Sequence, residues 1–254
     1  MAIGKAVWVA GVALAIGTTA TGAAVAAGAY PGLQGDSWAA IAKLPPITGI
    51  YETARLKNAP KDGQRDLPPV LTPKAAAEQA AYRARKLDDT DAANCLPPGM
   101  PGIMGQPYPI QVLVTPGEVT IIQEAYMQVR HVHTDGRGHA ADPDLTFNGD
   151  SVGHWEGDTL VIDTVGLAPQ AVLQQGVTHS KNEHIVERYR LSEPDLLEVK
   201  TRIEDPGVLE KPWEFTARYA RHKDWSLAEY ICEQNNRNSV DANGKAAINL
   251  DLKK

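Results

Sequence analysis

Beyond Tyr108 the chain proceeds in short apolar or alternating runs separated by turn-forming residues. Nine such runs predict strands, at 110–114, 119–124, 127–134, 151–155, 159–164, 184–191, 196–203, 213–220 and 227–232. Pro116-Gly117, Asp135-Gly136, Asn148-Gly149, Glu156-Gly157-Asp158 and Asp205-Pro206-Gly207 punctuate them with turn chemistry. Strands joined mostly by short turns pair antiparallel. The expected fold is therefore mainly β, an antiparallel barrel in preference to a parallel α/β sheet, with a two-sheet sandwich as the competitor. Side chains alternate across a strand, so Ile185, Tyr189 and Leu191 share a side with Glu183 and Glu187, and His184, Val186, Arg188 and Arg190 share the other. The next runs put Leu197, Val199, Thr201 and Ile203, then Trp213, Phe215, Ala217 and Tyr219, on the core side. If the Ile185 side also faces inward, Glu187 sits inside the barrel.

Residues 30–104 read differently, rich in Pro and Ala with little strand character. Residues 38–44 predict a short helix stopped by Pro45-Pro46, and 47–52 one short strand. The best helix spans 73–86, with Thr72 as cap, Pro73 in the first turn and an alanine-rich body. The stretch 95–102, CLPPGMPG, predicts a rigid non-helical crossing. This segment joins residues 105–240 in one domain, and residues 241–254 read as a loose tail.

The first residues carry a different pattern. Lys5 precedes an apolar run from Ala6 to Ile16 that gives way to small residues, the order of a secretory signal, with cleavage sites after Ala26 or Ala29. That apolar core is short of the roughly 20 residues a membrane span needs. Residues 1–29 therefore predict a cleaved signal peptide and a periplasmic or secreted protein with no membrane span afterwards. The net charge of -6 and the lack of Lys/Arg clusters argue against nucleic-acid binding, which needs cations to replace counterions. In an exported chain the two cysteines, Cys95 and Cys232, are read first as a disulfide, worth about 4–5 kcal/mol on the chain-entropy model.

The run GDSVGHWEGDTLVIDT at 149–164 resembles the signature of a large family of exported bacterial proteins. The resemblance extends to Gly49-Ile50-Tyr51, the 95–101 stretch, Arg130 with Asp135-Gly136-Arg137, His139, the segment holding His184, Glu187 and Arg188, and the stretch 230–235. It implies an exported β-barrel-like domain and brings no activity with it. Gly49-Ile50-Tyr51 also looks like a degenerate Gly-x-Trp opening of lipocalin-like barrels.

Two segments are rich in acid–base groups. In 130–139 His131 and His133 share a strand face as an HxH pair that suits zinc or iron. Only two of the three ligands needed are placed, so the expectation is no cofactor. Glu187, if buried, must be paired or carry a raised pKa. A structural ion pair with Arg130 or Arg137 is the plain account. The accumulation of Asp135, His139, His179, His184 and Glu187 points instead to cofactor-free proton chemistry: a lyase, hydratase, isomerase or cyclase acting on a small organic substrate. In that reading Arg130 or Arg137 stabilises an oxyanion, and Tyr189 and Trp155 help bind substrate. Trp155 also reads as the packing anchor of a hairpin. The alternatives are a lipocalin-like carrier that does not turn its ligand over, and a metal-dependent hydrolase using His131 and His133. The two leading readings differ in their pockets: a carrier is lined by apolar and aromatic groups, whereas a catalyst brings a carboxylate and an imidazole to one ligand position. Oligomeric state is not legible.

Overall fold

A computed structural model describes residues 35–54, 68–84, 95–174, 176–232, 238–240 and 246–248. The expected signal peptide and all of the tail except 246–248 lie outside the described residues. Two short helices form where expected: α1 (Trp38–Ile41), capped by Ser37, and α2 (Pro73–Arg83), where Thr72 Oγ1 accepts from Ala75 N at 3.4 Å.

The strands are β1 (Gly49–Thr53), β2 (Ile110–Thr115), β3 (Glu118–Gln123), β4 (Gln128–His133), β5 (Asp150–Glu156), β6 (Thr159–Val165), β7 (Val172–Gln174), β8 (Val177–Thr178), β9 (His184–Glu193), β10 (Leu196–Glu204), β11 (Trp213–Arg221), β12 (Asn238–Val240) and β13 (Ala246–Ile248). Nine of them close a barrel in the order β1-β11-β10-β9-β6-β5-β4-β3-β2. β7 and β8 form a small hairpin beside it, and β12 pairs with β13.

Nine strands cannot alternate direction all the way round a closed ring, so one neighbouring pair must run parallel. That pair is β4 and β5. A parallel pair needs a crossover of about a dozen residues or more, and residues 134–149 supply it. The expected antiparallel pairing holds for every other neighbouring pair in the ring. The run at 227–232 is likewise not a strand. It is held by separate contacts, with Ala228 N donating to Glu124 Oε2 at 2.8 Å, the Tyr230 ring against Tyr108 and Tyr126, and Cys232 bonded to Cys95. The ninth barrel strand is β1, which pairs with both β2 and β11 and so closes the ring.

The predicted inner faces hold. Ile185, Glu187 and Tyr189 stand opposite Ile203, Thr201 and Val199, which in turn stand opposite Trp213, Phe215 and Ala217. Buried apolar residues form two clusters. One includes Tyr51, Val112, Ile121, Leu160, Tyr189 and Leu197; the other includes Met100, Ile103, Leu173, Ile185, Ile203 and Leu209. On β9 the two clusters are separated by Glu187, between Ile185 and Tyr189 on one face.

Candidate functional site

The expected site residues separate into groups that do not meet. Arg130 on β4 and Glu187 on β9 both point into the barrel, 2 % and 1 % exposed. Arg130 Nη2 lies 2.6 Å from Glu187 Oε2. Arg130 also donates from Nε to Ser151 Oγ (3.1 Å), from Nη2 to Thr164 Oγ1 (2.7 Å) and from Nη1 to Met100 Sδ (3.6 Å). The Tyr189 hydroxyl donates to Glu187 Oε1 at 3.1 Å. Burial opposes the Arg130 charge, and the Glu187 carboxylate outweighs it, holding the guanidinium above its ordinary value. Burial and the same carboxylate push the Tyr189 hydroxyl well up. This closed network ties β4, β5, β6 and β9 together. Of the two arginines offered as partners for Glu187, it is Arg130. Arg137 instead pairs with Asp135 at the exposed turn, Nε to Oδ1 at 2.9 Å, which lowers the Asp135 carboxyl.

His139 and His184 lie on the outer side of the wall. His139 comes from the crossover and places Nδ1 3.1 Å from Asp150 Oδ2 and Nε2 3.0 Å from Asp163 Oδ1; His184 Nε2 meets that same Asp163 oxygen at 2.9 Å. Hydrogen bonds to Asp163 raise both imidazoles. Burial works against the Asp163 charge, but the two histidines outweigh it and hold the carboxyl well below its usual range. The cluster staples the crossover to β5, β6 and β9. His131 and His133 also face away from the barrel interior, with His131 Nδ1 2.9 Å from Glu118 Oε1. Among the described residues no third side chain joins them in a metal-binding group.

His179 is buried between two backbone carbonyls, Ser180 O 2.8 Å from Nδ1 and Ala168 O 2.6 Å from Nε2. Beside it lies Glu183, 2 % exposed, its Oε2 3.5 Å from His179 Nδ1. Burial, with Asp205 nearby, pushes the Glu183 carboxyl up to about 9. Trp155 and Tyr189 are core residues of the first apolar cluster.

The concave site lies elsewhere. A cavity of about 870 Å³ opens against the inner wall of β1, β10 and β11, at Thr53, Val199, Thr201, Phe215, Ala217 and Tyr219. Small-molecule sites span roughly 300–1,000 Å³, so its size suits one organic ligand. The opposite side is formed by the 96–106 stretch, the β7–β8 hairpin and, from α2, Glu78 and Tyr82. Val199, Thr201 and Ala217 are small for inward barrel positions, which leaves the space unfilled. The roof is pinned where the Tyr219 hydroxyl donates to Met104 O at 3.1 Å. Its rim is tied by the Cys95–Cys232 disulfide, with Cα atoms 5.7 Å apart. Tyr126, also in the lining, has φ 60, a left-handed conformation that is strained for a residue with a Cβ and is often retained at ligand sites.

None of the nine residues expected to catalyse or bind substrate lines this cavity. The residues that do were read as core or not singled out. The available signal was three aromatic side chains, Trp213, Phe215 and Tyr219, on one inward face with a small Ala217 among them. No protein-family model matches the chain, and no curated protein is significantly similar to it.

Proposed function

We propose that this chain is an exported binding barrel whose cavity holds a small, mostly apolar organic molecule without transforming it. One observation carries the reading: the cavity wall is mostly apolar and aromatic, and among the described lining residues Glu78, on the exposed side of α2, is the charged one. A carrier needs that lining, whereas proton chemistry needs an acid and a base at one ligand position. Glu187 is engaged by Arg130 and Tyr189, and His139 and His184 by Asp163, none of them at the cavity. The disulfide supports an oxidising compartment. No described helix is long and apolar enough to cross a membrane. The signal-like start of the sequence supports export.

The test is a fluorescence titration of the mature chain with N-phenyl-1-naphthylamine, a neutral ring compound that brightens when removed from water. The expected result is saturable binding of one probe per chain, weakened in Ala217→Trp, which projects an indole from the inner wall into the cavity, while far-UV circular dichroism is kept. Absence of saturable binding to the folded wild type would overturn the proposal.

A further inference from the structure

We infer that the cavity selects its ligand by charge, taking uncharged or cationic ring compounds and rejecting anions of the same skeleton; this rests on the cavity being a ligand site. Its surroundings lean toward negative potential from several independent directions. Tyr82, Tyr126, Trp213, Phe215 and Tyr219 supply aromatic rings, whose faces are the negative end of a quadrupole. Pro97, Pro98 and Pro101 form part of the roof and have no N–H, so these three positions offer no backbone donor to an anion. The Tyr219 hydroxyl hydrogen is already committed to Met104 O. Glu78 adds a carboxylate at the α2 side of the lining, with the exposed Lys74 ammonium 4.0 Å away and outside the lining.

A further carboxylate stands behind the wall. Thr201 lines the cavity, and its cross-strand partner on β9 is Glu187. Arg130 meets that carboxylate from the β4 side and is not in the lining. Tyr219 senses the same charge, being raised first by burial and then by Glu187.

Neutral donors are present in Thr53, Thr178, Thr201 and the Gln106 amide. They suffice to orient a hydroxyl, carbonyl or amine. They do not compensate a full negative charge taken out of water, which needs a paired cation. A cationic or neutral ring loses less on entry and gains from the aromatic faces.

The experiment compares two probes on the mature chain: N-phenyl-1-naphthylamine and 8-anilinonaphthalene-1-sulfonate, which share one skeleton and differ by a sulfonate. The sulfonate is expected to bind at least about tenfold more weakly, by the cost of burying an unpaired charge. Thr178, exposed on the β7–β8 hairpin yet part of the lining, gives the converse test. Thr178→Lys should bring the sulfonate to within about threefold of that variant's own affinity for the neutral probe, because the new cation pairs the sulfonate. Signal that Ala217→Trp leaves unchanged arises outside the cavity and is subtracted. Equal cavity affinities for the two probes would overturn the charge selection and leave the binding barrel intact. If neither probe binds the cavity, the binding barrel itself falls. A tighter sulfonate than neutral probe would reverse the assignment.

Discussion

Arg130 and Glu187 meet at 2.6 Å in the middle of the barrel, although β4 and β9 are three steps apart around the ring. The contact braces the barrel from within, so each charge depends on the other. Removing one partner of such a buried pair costs about 3–5 kcal/mol, whereas replacing both with apolar groups costs far less.

Glu187→Gln should therefore lower stability by about 3–5 kcal/mol, and Arg130→Met with Glu187→Leu should be less destabilised than either single variant. Urea unfolding of the wild type, Arg130→Met, Glu187→Leu and the double variant gives the coupling. In the folded Glu187→Gln chain the affinity for the neutral probe should change by less than about threefold, since neither residue lines the cavity. Additive losses would show that the pair is not a brace.

Glu183 predicts an alkaline weakness. Its folded pKa is raised from 4.5 to about 9, so its contribution is fully present below about pH 4.5 and is lost as pH rises through the folded value. Glu183→Gln should be the more stable protein at pH 8, by on the order of a few kcal/mol, with the difference shrinking toward pH 5. Thermal melts from pH 5 to 9 read this directly. A pH-independent difference would contradict it.

At the outer cluster the window lies lower. His139 and His184 are raised above 6.5 by Asp163, so their contribution is complete below that value and fades as pH climbs through the raised ones. Asp163→Asn should return both imidazole titrations toward the ordinary value, visible by NMR. Its stability cost should be largest near pH 5.5, about 1 kcal/mol because the groups are half-exposed and screened.

The disulfide ties the cavity rim to the segment that carries Tyr230. Replacing both cysteines with serine should cost about 4–5 kcal/mol if loop-closure entropy dominates, given the 137-residue separation. Neutral-probe affinity should also fall in the folded variant, because Leu96 and Pro97 lose their covalent anchor. A variant with wild-type affinity would show that the rim is held by packing alone.

Strand positions and faces were legible in the sequence because alternation is local: Ile185, Glu187 and Tyr189 share a side whatever the partner strand is. The same locality made the Thr72 cap and the inward face of Trp213 and Phe215 readable. A barrel was legible, but which strands close it was not, because that depends on β1 meeting both β2 and β11 across long stretches of chain. Nor was the parallel β4–β5 pair, which parity demands only once the barrel is known to have nine strands. The run at 227–232 has strand-like composition, but in the fold it is secured by Glu124, Tyr126 and Cys95 rather than by a ladder. Composition exposed the acid–base residues and could not say which would meet: Glu187 chose Arg130, and His139 reached Asp163 only because the crossover folds back on the wall. The cavity is the most tertiary feature of all. It is the volume left where small residues of β10 and β11 face a proline-rich roof, a difference between surfaces that no single segment encodes.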